Sequence, residues 1–156
     1  MGLFSSNVVL FTVLVRLLTE TALAGAEQDR SIWEGRFWLE RGRNAPRSSY
    51  RQIHYFQRSL EADPGLADAH LEMAEAYYDL AISYGHRDLF ASALEALEAA
   101  LEVDPDLVPA YYRRGTIYFL LGDFSASRRE LEEAHRLDPD YRPAESGLRM
   151  LRNWQQ

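Results

Sequence analysis

The stretch "LGDFSASRRELEEAHRLDP", residues 121–139, decides the fold. Gly122-Asp123 reads as a turn, because glycine ends a helix in the left-handed conformation and aspartate accepts from the first free N–H groups of the next. Phe124, Ser127, Leu131 and Ala134 then recur at three- and four-residue spacing, the period of one helix face. Asp138-Pro139 stops that helix, since proline disfavours the helical conformation in the residue before it.

The same punctuation occurs three times, in "EADP" ending at Pro64, "EVDP" at Pro105 and "RLDP" at Pro139. Pro105 and Pro139 are 34 residues apart. In the unit between them Tyr111, Gly115 and Tyr118 mark a first helix ahead of the Gly-Asp turn. Small residues at 115, 127 and 134 allow two helix backbones to approach, and the bulky ones at 111, 118, 124 and 131 fill the space between turns. Arg114 departs from the apolar pattern.

A 34-residue period with two helices per period resembles the tetratricopeptide repeat. The resemblance covers about residues 35–153 and implies an all-α fold, with helix-turn-helix repeats stacked as a short right-handed superhelix and closed by a capping helix. The middle unit spans 41 residues, seven more. Counting forward from Pro64 places His70, Met73, Ala74 and Tyr77 in its first helix; counting back from Pro105 places Phe90, Ala93, Leu97 and Ala100 in its second. The extra residues fall in "DLAISYG", whose Tyr77, Leu80/Ala81 and Tyr84 keep the helical period until Gly85, with Asp88 expected to cap the next helix. The insertion reads as a longer helix.

The first unit is degenerate. "SIWEGRFWLERGR" reads as a short amphipathic segment with Trp33, Phe37 and Trp38. "APRSSYRQIHYFQRSLEADP" reads as a second helix, with Pro46 near its start and Tyr50, Ile53, Phe56 and Leu60 on one face. "YRPAESGLRMLRNWQ" aligns Ala144, Leu148 and Leu151. The expected organisation is a signal peptide over 1–26, a degenerate first repeat over 31–64, a second with a lengthened first helix over 65–105, a third over 106–139, and a capping helix over 140–156.

The first 26 residues differ in composition from the rest. Val8 to Val15 is apolar apart from Thr12, a length that suits a signal-peptide core and is too short to span a bilayer. Ala22-Leu23-Ala24 and Ala24-Gly25-Ala26 each offer a small-x-small cleavage site, giving a mature start at Gly25 or Glu27. The expectation is export, in a bacterium to the periplasm; an uncleaved membrane anchor is the alternative. No basic residue precedes the apolar run, and Arg16 interrupts it. "MGLFSS" also fits a short myristoylation pattern at Gly2.

The net charge of −7 opposes nucleic-acid binding, which needs clustered Arg or Lys. With no cysteine there is no disulfide or thiolate site. All 17 basic residues are arginine, as in GC-rich bacterial genomes. The four histidines are scattered, no glycine-rich phosphate loop or Gly-x-Ser-x-Gly elbow occurs, and the acidic run "EALEAALEVD" is a solvated helix face. The reading is a protein without catalytic function, cofactor or metal.

The segment "GRFW…RQIHYFQRSLEADPGLADAHLEMAEAYYDLAISYG" is similar to repeat arrays of bacterial signalling proteins, which accompany winged-helix regulators, adenylate cyclases or kinases. That likeness implies either a free-standing exported relative or a piece of a longer regulator. The repeat family implies protein–protein scaffolding, with a partner segment in a concave groove lined by first helices. Its groove positions fall on Asp68, Leu71, Glu75, Tyr78 and Asp79, and on Tyr112, Arg113, Thr116, Phe119 and Leu120. Aromatic residues beside Asp68, Glu75 and Asp79 imply an apolar and basic partner segment. Chaperone-binding members grip a C-terminal carboxylate with a Lys/Asn/Arg set; here Leu71, Glu75 and Pro109 stand in those places and Arg113 alone matches, which argues against that activity. The alternative is an assembly subunit that self-associates or docks on a membrane complex through its repeat ends or the Trp33/Trp38 face.

Overall fold

The computed structural model describes the backbone of residues 3–154 and the side chains of residues 15–154. Met1 and Gly2 of the expected signal peptide, with the myristoylation pattern at Gly2, and the last two residues of the expected capping helix, lie outside the described residues, as do the side chains of Val8 to Leu14. Seven helices make up the described chain: α1 Leu3–Arg43, α2 Tyr50–Ala62, α3 Ala67–Tyr84, α4 Leu89–Val103, α5 Val108–Leu121, α6 Phe124–Leu137 and α7 Arg142–Trp154. Helices α1/α2, α3/α4 and α5/α6 pair as hairpins; α2 packs on α3, α4 on α5 and α6 on α7. The first helices also meet, α3 against α5 and α5 against α7, and therefore form the inner side of the stack.

The three Asp-Pro junctions repeat one geometry. Asp63, Asp104 and Asp138 have φ of −139°, −132° and −139° with ψ of 94°, 93° and 97°. Each donates its backbone N–H to the last turn, to Ser59, Ala100 and Ala134 at 2.9, 2.9 and 3.1 Å. Each carboxylate then accepts from the N–H two residues on, at Gly65, Asp106 and Asp140, over 3.0–3.1 Å. Proline sets the extended backbone and aspartate closes the turn, so both halves of the dipeptide are used. One turn later, His70 Nε2 lies 3.2 Å from the Pro64 carbonyl and Tyr111 Oη donates to that of Pro105 at 3.0 Å, two side chains at one repeat position.

The turn at Gly122-Asp123 forms as its sequence dictates. Gly122 has φ 86°, and its N–H and that of Asp123 donate to Phe119 and Tyr118. The Asp123 carboxylate accepts from Ala126 N at 2.9 Å and Ser125 Oγ at 2.8 Å, which holds it below the usual carboxylate range. Gly85 likewise ends α3 with φ 72°. Asp88 departs from expectation: it sits at the N-cap of α4, yet its φ/ψ of −60°/−31° is already helical and its side chain caps nothing. The seven extra residues of the middle unit are shared out: α3 has 18 residues against 14 in α5, α4 15 against 14 in α6, and the turn takes the other two. Tyr84, expected on the packed face, is 64% exposed.

Each hairpin crosses over a small residue. A Cβ added at Gly115 would lie 2.8 Å from Leu131 Cγ and 3.3 Å from the Ser127 carbonyl, and one added at Gly147 would lie 2.9 Å from Leu131 Cδ1. Leu131 is thus clamped between α5 and α7, and Ser127 Oγ donates to the Gly115 carbonyl at 2.7 Å across the same crossing. In the middle unit Ala74, Ala81, Ala93 and Leu97 are buried together. In the first unit the Phe56 ring lies against Gly42, and Ser59 Oγ donates to the Gly35 carbonyl at 2.7 Å.

That first unit corrects three expectations. The "SIWEGRFWLERGR" segment is no short helix but the end of the 41-residue α1, because no glycine stop or proline interrupts residues 3–43. Helix α2 begins at Tyr50, leaving Pro46 in the preceding loop. Tyr50 is 64% exposed, whereas Ile53 and Phe56 are buried. Residues 15–30 are exposed throughout; packing starts where Ser31 Oγ donates to the Ala62 carbonyl. No helix among the described residues is long and apolar enough to cross a membrane.

The crossings make a stability prediction. Gly115→Val forces carbon into Leu131 and should lower unfolding free energy by about 1–3 kcal/mol. Leu131→Ala empties the same site and should cost about 2–5 kcal/mol. Urea denaturation checks both; a Gly115→Val protein as stable as the parent would show that the helices do not cross there.

Candidate partner-binding groove

The first helices bring some of the expected groove residues together and disperse others. At the centre Arg113 on α5 forks onto Glu75 on α3, with Nη2–Oε2 at 2.5 Å and Nε–Oε1 at 2.6 Å. Its guanidinium lies 4.2 Å from the centre of the Tyr78 ring, one turn from Glu75 on α3, a cation–π distance. Tyr112 meets Tyr141 edge-on at 5.8 Å, so the aromatic floor runs Tyr78, Tyr112, Tyr141 with Arg113 threaded through it. Asp79 borders the cleft beside this pair.

The remaining expected residues stand apart from that centre. Leu71 and Leu120 pack partly against the core, and Thr116 Oγ1 is spent on the Tyr112 carbonyl at 3.0 Å. Phe119 belongs to a cluster at the other end, 5.5 Å from Phe124 and 6.0 Å from Trp154. Asp68 is engaged by Arg43, which also holds Glu40 and Glu72.

Sequence reasoning missed Arg43, Arg47 and Gln52, and also Glu72 and Tyr141. The first three lie in the degenerate unit, at the end of α1 and in the loop and helix that follow. With Glu72, Glu75, Asp79 and Arg113 they line a cleft of about 200 Å³. Tyr141 was legible: it stands two residues after Pro139, where the other units have Leu66 and Leu107. A third arginine pair, Arg114 to Glu130 at 2.6 Å, explains the departure at Arg114: it ties α5 to α6 and leaves the groove to Arg113.

The two partners of the central pair respond to burial differently. Burial pushes the Glu75 carboxyl above its ordinary range; Arg113 pulls it back, and Asp79 and Glu72 push it up again. Burial also opposes the charge of Arg113, but Glu75 outweighs it and holds the guanidinium more firmly protonated than usual. The asymmetry arises because burial, reinforced by Asp79 and Glu72, prevails at Glu75, whereas the attraction of Glu75 prevails over burial at Arg113.

This asymmetry sets a pH dependence. With its folded value raised, Glu75 contributes stability that is full below the unfolded carboxylate value and is lost as pH rises through the folded one. Glu75→Gln, which stays neutral, should therefore gain on the parent between about pH 4 and about pH 7. Urea midpoints at the two pH values measure this, and a variant that loses ground as pH rises would reverse the assigned sign.

The tetratricopeptide repeat family model matches residues 71–107 and again residues 108–141. No curated protein sequence matches the chain. Among solved structures, the first TPR of Spaghetti (RPAP3) bound to the HSP90 peptide SRMEEVD superposes with a TM-score of 0.68 at 21% identity, over 80% of this chain and 97% of that one. The Arabidopsis OM64 TPR domain gives 0.68 at 19% identity, over 79% and 98%. The second TPR domain of human RPAP3, in complex with the HSP70 peptide SGPTIEEVD, gives 0.58 at 23% identity, over 81% and 92%. The repeated junctions, the hairpins crossing over small residues and both family matches agree: residues 71–141 are tetratricopeptide repeats, and the described chain has the tetratricopeptide repeat fold.

Proposed function

We propose that the chain is a non-catalytic adaptor whose concave groove holds an apolar and basic segment of another protein. The observation that carries this reading is the floor of Tyr78, Arg113 and Tyr112 on the inner helices with Tyr141 just ahead of α7, none of them fully buried. Aromatic rings and arginine are the side chains in which binding energy concentrates. The RPAP3 domains hold acidic peptides ending in EEVD. Here the one matching basic residue is already committed to Glu75, and Asp79 adds negative charge, so a basic segment fits better than an acidic one.

Export to the bacterial periplasm belongs to the same proposal. Residues 15–30 are exposed, so cleavage before Gly25 or Glu27 would leave the packed part of α1, from Ser31 onward, in place. Retention of this segment as an anchor is the alternative, and would keep the adaptor at a membrane complex.

A second reading, self-assembly through the ends of the stack, draws on exposed apolar residues there: Trp33 and Trp154 are each 66% exposed, and Met150 49%.

Two measurements test these readings. The double variant Tyr78→Ala/Tyr112→Ala should lose at least about tenfold in affinity for a bound segment at unchanged helicity. Undiminished capture would remove the groove, and self-association that survives the substitutions would favour the end faces. The intact mass of protein from its native host should correspond to a start at Gly25 or Glu27; a mass retaining Val8 to Leu18 would contradict export with cleavage.

A further inference from the structure

We infer that the cleft between the end of α1, α2 and the inner helices α3 and α5 is a socket for one arginine side chain of the bound segment. The inference rests on the groove reading for how that arginine is presented, and on Gln52 and Asp79, outside the aromatic floor, for how it is held.

Gln52 supplies the first observation. It is 8% exposed and lines the cleft, its Nε2 donates to the Gly42 carbonyl at 3.4 Å, and its Oε1 has no hydrogen-bond partner. Rotating the amide would set oxygen against the Gly42 carbonyl, so the free atom is the acceptor. Buried acceptors without a partner are rare and destabilising, and this one calls for an N–H donor.

Asp79 supplies the second. It lines the same cleft and makes no ion pair among the described residues, whereas Arg113 is held by Glu75 and Arg43 by Glu40, Asp68 and Glu72. The cleft lining is balanced, Arg43, Arg47 and Arg113 against Glu72, Glu75 and Asp79, and Arg43 is further neutralised from outside it by Glu40 and Asp68. With Arg43 and Arg113 engaged elsewhere, the acceptors left over, the Asp79 carboxylate and the Gln52 amide oxygen, ask for a cationic donor.

Size and shape narrow the choice. A volume of about 200 Å³ admits a guanidinium with part of its stem and falls below the ~300 Å³ at which small-molecule sites begin. Arginine offers five donors in a planar fork and can satisfy Asp79 and Gln52 together, whereas the ammonium of lysine is a point charge.

The test is a two-dimensional ¹H–¹⁵N NMR titration of the full chain with N-acetyl-arginine amide. Saturable shifts of the Gln52 side-chain amide and the Asp79 signals are expected, weaker with N-acetyl-lysine amide and absent with N-acetyl-glutamate amide. Asp79→Asn should weaken the arginine response at least about tenfold. No saturable shift, an equal response to the glutamate compound, or undiminished binding by Asp79→Asn would overturn the socket. Free L-arginine binding more tightly than the blocked form would also overturn it, by pointing to a free metabolite instead of a segment. If segment capture depends on Tyr78 and Tyr112 while the arginine response fails, only the socket falls. If the arginine response stands and capture ignores those tyrosines, only the groove reading falls.

Discussion

Two helices of a hairpin can pack closely only where one presents almost no side chain, and every hairpin here meets that requirement. Gly42 receives the Phe56 ring, Ala74 and Ala81 lie beside Leu97, and Leu131 is gripped from both sides by Gly115 and Gly147. The crossings set how near the second helix lies to the first, and the Asp-Pro junctions set how one hairpin is passed to the next. With both fixed, α3, α5 and α7 have no freedom but to line one side of the stack. The groove is a consequence of where glycine and alanine fall in the chain.

Once the inner helices are neighbours, their polar residues must find partners in one another. Glu75 and Arg113 are 38 residues apart in sequence, and Arg43 is 25 and 29 residues from Asp68 and Glu72. These pairs link successive units, so the groove is braced electrostatically as well as by packing. The same bracing spends the positive charge that a repeat domain could turn toward an acidic ligand. What stays available is aromatic surface, one free carboxylate and one orphan amide oxygen.

Punctuation and period were open to reading because they are local. Asp138-Pro139, Gly122-Asp123 and the spacing of Ser127, Leu131 and Ala134 act over a few residues, and the structure follows them closely. The degenerate unit resisted for the same reason: Gly42 and Gln52 carry no recognisable pattern, and their meaning comes from Phe56 and the inner helices folding onto them. Asp88 misled because a good capping residue does nothing when its own backbone is already helical. On the inner helices, sequence register set Glu75, Tyr78, Tyr112 and Arg113 on one side, where they meet. It could not tell that Phe119 turns toward Trp154 or that Arg43 reaches Glu72, since both depend on how neighbouring units pack.

The central claim is that partners enter on the inner side of the stack, and position-specific crosslinking tests it most directly. A photoreactive residue at Thr116, half-buried on α5, and another at Glu102, exposed on α4, report the two sides. In the native host the account predicts a discrete crosslinked partner from position 116 and none from position 102. A partner captured from 102 and not from 116 would place recognition on the outer surface and contradict it.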